Sequence, residues 1–327
     1  MVDTRHVREL ELDDVVERLR AAGISEVRPL AGGASSLTYA AVASEGPVVV
    51  KVAPPGVPPV LNRDVLRQAR IIRLLGPTPV PVPEVLWEDH GAPPDTPPLF
   101  VMSFLEGNSV EPLFDHHSDC APEVMSDRLR HAAQTMAALH DLQPAVLGVE
   151  DEPVTGLEQE VDRWCSLLET VDQTPVSGWE DAAAALHDSL PAQFDSAIVH
   201  GDFRLGNLLA VGDRVTAVLD WEIWSVGDPR VDVGWFLLNC DPDTYRRRTP
   251  YGGATPPISE LAAVYSAARG THVPDLGWFQ ALASFKSAAT WSLIVKHNRR
   301  RTSPDGDVES LVPVLPLLLA NTRELRG

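Results

Sequence analysis

The chain has 327 residues, 44% of them hydrophobic, and a formal net charge of −19 at pH 7. That length exceeds one small core and suffices for two lobes, and the composition is that of a folded chain. The acidic balance argues against a nucleic-acid backbone as partner and gives no support to an anionic membrane surface; a solvated acidic surface explains it more simply than a cationic substrate does.

Cys120, Cys165 and Cys240 are widely spaced, odd in number and without a metal-ligand pattern. Reduced thiols in a cytoplasmic protein are expected. The N-terminal stretch is charged throughout, and no apolar run is long enough to span a bilayer, so no membrane association is expected. No internal repeat is present.

In chain order, "DDVVERLRAAGI" predicts a short amphipathic helix ending at Gly23. "VRPLAGGASSLTYAAVA" predicts strand, glycine turn and strand, and "GPVVVKVAPP" a further strand. In "NRDVLRQARIIRLLG" the apolar residues Val65, Leu66, Ala69, Ile72 and Leu75 recur at helical spacing. "PVPVPEVLWED" is expected to be extended, and "PPLFVMSFLEG" to be a buried strand running into a turn at Gly107. From there the character changes. "SDRLRHAAQTMAALHDL" predicts a helix with Leu129, Ala133, Met136 and His140 along one side. The acidic excess from Asp141 to Val199, relieved by Arg163 alone, is expected on solvated helix faces. "AIVHGD" and "RVTAVLDW" predict short strands flanking the loop "FRLGNLLA", and nearly everything after Pro229 predicts helix, with a loop at "RRRTSPDG". The expected class is α+β. An N-terminal sheet lobe with one main helix occupies residues 1–105, and a larger, mostly helical lobe occupies 106–327.

The chemistry concentrates in "HGDFRLGN" and "LDWE". Asp202 and Asn207 lie five residues apart on one loop, and Asp220 closes a strand further on. A carboxylate and a carboxamide brought together are hard oxygen ligands suited to Mg²⁺, which takes few protein ligands and leaves room for phosphate and water. A second carboxylate can orient a hydroxyl and accept its proton, and a lysine from another strand can neutralise phosphate. These are the parts that phosphoryl transfer needs.

"HGDFRLGN", "LDWE" and "GDPRVD" in that order resemble the aminoglycoside phosphotransferase-like family, whose fold is a variant of the protein-kinase fold. With "VMSFLEG" upstream, the chain is most similar to the branch related to kinase-like domains that accompany some acyl-CoA dehydrogenases. The resemblance covers most of the chain. It implies a catalytic base at Asp202, Mg²⁺ held by Asn207 and Asp220, and structural support from His200 and Asp232. It places Lys51 of "VVVK" on the α/β-phosphates and Val49 against the adenine. It makes Gly33, Ala34, Ser35 and Ser36 the turn that covers the phosphates, and Met102, Ser103, Phe104 and Leu105 the hinge that meets the base, with the nucleotide between the lobes. The family commonly has a glutamate where this helix has Gln68, so Gln68 is expected to hydrogen-bond Lys51 without charge; Asp64, one turn earlier, is the alternative. Arg204 and Glu222 are candidates for substrate contact or for pairing with each other. Asp228-Pro229 reads independently as a helix start, while His140, Trp221 and Trp235 read as structural.

The expected activity is transfer of the γ-phosphoryl group from Mg²⁺-ATP or Mg²⁺-GTP to a small-molecule hydroxyl, with a hydroxyacyl thioester or related metabolite as acceptor. An aminoglycoside or macrolide antibiotic is the alternative acceptor, and a catalytically weak nucleotide-binding regulatory module is the alternative of another class. The oligomeric state, monomer or homodimer, stays open.

Overall fold

"GPVVVKV" alternates in its surroundings as it does in its register. In the computed structural model, which describes residues 12–30, 36–116 and 120–324, this stretch is strand β3 (Gly46–Val52), preceded by α1 (Leu12–Ala21), β1 (Ser25–Pro29) and β2 (Leu37–Ala43). Val48, Val50 and Val52 turn into a core with Tyr39, Leu99, Val101 and, from α1, Val15 and Leu19. Val49 and Lys51 point to the other, half-buried face, as successive side chains of a strand must. After α2 (Val65–Leu75) come β4 (Val85–Asp89) and β5 (Leu99–Ser103), which complete an antiparallel sheet of order β1-β2-β3-β5-β4. Asp64 caps α2 by accepting from the amides of Leu66 and Arg67, both at 3.1 Å.

The chain divides into two units, Met1–Gly107 with Thr216–Trp224, and Asn108–Val215 with Ser225–Gly327. The contiguous lobe expected over 106–327 is therefore interrupted. Within the first unit, Thr216–Trp224 is held by the Val218 amide on the Pro81 carbonyl at 2.8 Å and by Arg67, which donates to the Trp224 carbonyl at 3.0 Å and lies 4.1 Å from that indole's centre.

The second unit contains α3 (Met125–His140), α4 (Pro144–Leu147), β6 (Val154–Thr155), α5 (Leu157–Leu168), α6 (Trp179–His187), β7 (Ala197–Val199), β8 (Leu208–Val211), β10 (Ser225–Gly227), α7 (Arg230–Cys240), α8 (Ile258–Arg269), α9 (Leu276–Asn298), α10 (Gly306–Glu309) and α11 (Leu315–Glu324), while β9 (Arg214–Val218) carries the chain back into the first unit. Two departures from the sequence reading concern strands: the end of "FRLGNLLA" is β8 rather than loop, and β10 pairs with β6 and β7 in a small sheet that no alternation announced. Three-residue strands fall below any periodic signal. Asp228 does start α7, its carboxylate accepting the Arg230 amide at 3.0 Å.

The 23-residue α9 is buried on nearly all sides, and α5, α6, α7 and α11 pack around it. Trp164, Trp179, Phe279, Phe285 and Leu315 form the core there. An α-helix that is apolar all round is a central helix. The acidic faces of α5 and α6 are mostly exposed, but Glu160 is buried. The three cysteines are unbonded thiols, and among the described residues no helix is long and apolar enough to cross a membrane.

The crossing of α7 and α9 depends on Gly234. A Cβ there would lie 2.3 Å from the Phe279 carbonyl oxygen and 2.5 Å from its carbon, both main-chain atoms that cannot turn aside. Gly234→Ala is therefore expected to cost about 3 kcal/mol, the upper range for overpacking, read as a lowered urea midpoint with an unchanged slope.

Candidate functional site

The glycine in "HGD" has a backbone reason. Gly201 adopts φ +84°, a left-handed conformation that a residue with a side chain would enter only with strain. The turn it allows points two successive amides at one carboxylate: His200 and Gly201 donate to the two oxygens of Asp232 at 2.6 and 2.8 Å. Asp232 has no exposed side-chain surface and also faces His140 Nε2 at 3.2 Å, whose Nδ1 meets the Tyr265 hydroxyl at 2.7 Å. Burial pushes the His140 ring below its ordinary value and the Tyr265 hydroxyl above its own. For Asp232, burial works to raise the pKa, but the bonds from His140 and the His200 amide, with the fields of both rings, more than reverse it and hold the group below the carboxylate range. His200 Nδ1 accepts the Asp202 amide at 3.1 Å.

On this scaffold the Asp202 carboxylate is gripped from several directions. Trp235 Nε1 donates to Oδ1 at 2.7 Å, Asn207 Nδ2 to Oδ2 at 2.7 Å, and Arg204 Nε to Oδ1 at 3.2 Å. Asn207 Nδ2 also reaches the Asp202 carbonyl at 2.9 Å, which leaves the Asn207 carboxamide oxygen as the group it can offer to a cation. Arg204 is anchored at its far end by Nη1 on Glu111 Oε2. Burial raises the Glu111 carboxyl although Arg204 pulls it down, and among the described residues the other oxygen, Oε1, is buried without a hydrogen-bond partner. Gly206 makes room for this pair: a Cβ would fall 2.3 Å from Arg204 Nη1 and 2.4 Å from Glu111 Oε2.

The first unit carries the other cluster. Lys51 Nζ forms an ion pair with Asp220 at 2.8 Å and accepts no charge from residue 68: Gln68 Oε1 receives a hydrogen bond from it at 3.3 Å. Gln68 is 1% exposed. Asp64 is spent on the helix cap, so the alternative lysine partner is removed. Asp220 sits at φ +61° and leads into a tight turn in which Trp221 Nε1 bonds the Val218 carbonyl at 3.0 Å. Val49 lies beside Lys51 on the same face of β3. The Ser103 amide is taken by the Glu84 carbonyl at 2.9 Å and that of Phe104 by the Pro47 carbonyl at 3.3 Å, so neither amide is open to a ligand; Met102 is buried in β5, Phe104 is 47% exposed and Leu105 is half-buried. Ser36 is buried, whereas Gly33, Ala34 and Ser35 lie outside the described residues. Glu222 is half-buried on the turn after Asp220. Arg204 pairs with Asp202 and Glu111.

The structure thus brings together His200, Asp202, Arg204, Asn207 and Asp232 in the second unit, and Lys51, Gln68 and Asp220 in the first. Sequence reasoning missed Glu111, Lys286 and the bond from Trp235. Glu111 opens a turn, its carbonyl accepting from the Phe114 and Asp115 amides, that no motif marks. Lys286 had a signal, a lone charge amid "ALASFKSAATW".

A family model described as the phosphotransferase enzyme family matches residues 26–277. Acyl-CoA dehydrogenase family member 11 of Gallus gallus is 28% identical over 287 residues, which cover 82% of this chain and 36% of that protein. Acyl-CoA dehydrogenase family member 10 of Mus musculus is 26% identical over 223 residues, 67% of this chain and 21% of that protein. The chain therefore spans the smaller part of the curated relatives' length. Among solved structures, a Ralstonia eutropha protein provisionally described as an aminoglycoside phosphotransferase superposes with a TM-score of 0.76 at 20% identity, covering 97% of this chain and 98% of that one. A thermostable mutant of aminoglycoside phosphotransferase APH(4)-Ia, in ternary complex with AMP-PNP and hygromycin B, gives 0.63 at 15% identity, covering 94% and 98%. These likenesses show the fold, the kinase-like α+β arrangement expected from the sequence.

Two outcomes follow from the geometry. A carboxyl depressed in the fold contributes stability that is present above its unfolded pKa and lost as pH falls through its folded value. Asp232→Asn should therefore cost about 3 kcal/mol at pH 7, as when a buried pair is broken, and the gap to wild type should narrow in urea melts below about pH 4, the ordinary range for aspartate. Gly206→Ala should displace the Arg204–Glu111 pair and, by leaving the buried Glu111 without its counter-charge, lower the urea midpoint with the slope unchanged.

Proposed function

The chain belongs to the phosphotransferase enzyme family, and from that premise we propose that Asp202 is the base through which it passes the γ-phosphoryl group of a Mg²⁺-nucleotide to a small-molecule alcohol. The observation that carries this reading is the Asp202 carboxylate itself. It is fixed by Trp235, Asn207 and Arg204 yet keeps 23% of its side-chain surface exposed, as a group that must meet a substrate requires. The acceptor O–H gives its proton to Asp202, the acceptor oxygen bonds to the γ-phosphorus, and the bond from that phosphorus to the bridging β–γ oxygen breaks to release the nucleoside diphosphate.

The donor residues fit the metal. The Asn207 carboxamide oxygen and the Asp220 carboxylate, 34% exposed, are hard oxygen ligands and few in number, as suits Mg²⁺ with phosphate and water completing its shell. When bound, Mg²⁺ would offset phosphate charge. Lys51 adds a cation for the α/β-phosphates, held in place by Gln68 and balanced by Asp220 rather than by a glutamate on α2. Val49 lines the adenine side, and with the amides of Ser103 and Phe104 engaged, the base is met by the Leu105 amide. Ser36 belongs to the turn proposed to cover the phosphates. Arg204 and Glu222 stand on the acceptor side, and the donor is ATP or GTP.

The acceptor is a hydroxyacyl thioester or a related hydroxylated metabolite, a reading supported by curated relatives that are acyl-CoA dehydrogenase family members. An antibiotic alcohol is the second reading, supported by the hygromycin B complex of a similar fold. A panel of hydroxyacyl-CoA thioesters, aminoglycosides and macrolides with MgATP and MgGTP separates the two.

The first test needs no acceptor. ATP or GTP with Mg²⁺ should raise the melting temperature, since a ligand present at a hundred times its Kd stabilises by about 2.7 kcal/mol; Asp220→Ala should lose the Mg²⁺-dependent part. Asp202→Ala should keep that shift and lose transfer by about 10²–10⁴-fold, the scale of general-base catalysis. Wild-type transfer in Asp202→Ala would remove Asp202 from the role, and wild-type transfer in Gln68→Ala would remove Gln68 from support of Lys51.

A further inference from the structure

Lys286 stands midway along α9, 5% exposed, with alanine, serine and phenylalanine around it in sequence. Its ammonium donates to the Gly201 carbonyl, the peptide that leads into Asp202. It also lies 3.8 Å from the ring centre of Trp235 and 5.4 Å from that of Trp164. Among the described residues, a carbonyl and two indole faces hold this cation, and no carboxylate bonds it directly.

A buried ammonium is costly unless its surroundings replace water, and two of these contacts lead to one place. Trp235 carries the N–H that donates to Asp202 Oδ1 at 2.7 Å. A cation over an indole face is attracted to the ring and polarises it, which strengthens what the ring's N–H donates. The same ammonium fixes the peptide before Asp202. Two routes from Lys286, one through the main chain and one through the indole, therefore converge on a single carboxylate.

We propose that Lys286 is a positioning residue for Asp202, acting through the Gly201 carbonyl and the Trp235 indole. This rests on the reading of Asp202 as the base. Lys286 touches no substrate and supplies no proton to the reaction.

The charged groups that face Lys286 are Asp202 on the loop, Asp232 on α7, and Glu160 and Arg163 on α5. Burial pushes the ammonium down to about 8 against the pull of the three carboxylates, and Arg163 adds a little. Above that pH the neutral amine gives up the ring attraction and the charged donor. Turnover should therefore decline through about pH 8. Stability should move the other way on account of this group: between about 8 and the ordinary 10.5 the unfolded chain binds the extra proton, so the fold gains as pH rises. A lysine with a merely structural role would not separate the two profiles.

The test is an ¹H–¹⁵N spectrum of the whole chain from pH 6.5 to 9.5, with the Trp235 indole signal assigned by its loss in Trp235→Phe. The expected result is an indole N–H that titrates with a midpoint of about 8 in wild type and stays flat in Lys286→Met. In parallel, ADP release from MgATP with water as acceptor should show kcat lowered by about tenfold in Lys286→Met and in Trp235→Phe, with KM for MgATP held within about twofold. An indole indifferent to pH in the wild type overturns the proposal. So does wild-type kcat in folded Lys286→Met or, should that variant not fold, in Trp235→Phe. Asp202→Asn keeps the two readings apart: undiminished transfer in that variant refutes the base, while the indole titration still reports on Lys286.

Discussion

Asp232 has no exposed side-chain surface, and two amides and an imidazole converge on its oxygens. A charge in that position would be among the most expensive features of the fold if any of its partners were missing. Because they are all present, the cost becomes a constraint on the loop. The amides of His200 and Gly201 have one place to go, Gly201 must adopt its left-handed turn to reach it, and the residue that follows leaves in a single direction. The orientation of Asp202 is set before any side chain touches it.

The side chains then refine what the backbone has set. Trp235 and Asp232 sit three residues apart on α7, so one helix holds both the loop's backbone and its carboxylate. Gly234 lies between them and lets α9 approach to main-chain contact, which brings Lys286 under the same loop. Support for the proposed base is thus spread over two helices whose crossing leaves no room for a Cβ at position 234. In the other unit the logic is electrostatic rather than steric. Lys51 finds its counter-charge on Asp220, which removes the need for an acid at position 68 and explains why a glutamine can occupy that place without leaving a buried cation unbalanced.

Much of this was legible in the sequence where a period or a motif carried it. The alternation of Val48 to Val52 put Lys51 on the half-buried face of β3, and the family resemblance, rather than any spacing, pointed to Gln68 as its partner. "HGDFRLGN" and "LDWE" marked Asp202 and Asp220, one in each unit. What the sequence could not announce depended on distance in space. Glu111 and Arg204 are 93 positions apart, Lys286 and Gly201 are 85 apart, and no local pattern links them. Asp64 stood in the sequence as an alternative partner for Lys51, and only the structure shows its carboxylate taken up by the start of α2. Strands as short as β6 and β10 draw their stability from neighbours rather than from their own residues.

Gly206 differs from Gly201 in a way that reaches beyond this molecule. Gly201 is required by its own backbone, whatever surrounds it. Gly206 has no left-handed φ; it is required only because two long side chains meet where its Cβ would be. Its necessity is therefore borrowed. A sibling chain with a shorter residue in place of Arg204 would be free to carry alanine or serine at 206, and one that regained the arginine would have to lose that side chain first. The order in which such changes can accumulate is restricted, and the Arg204–Glu111 pair, once in place, closes a mutational path that its absence would leave open.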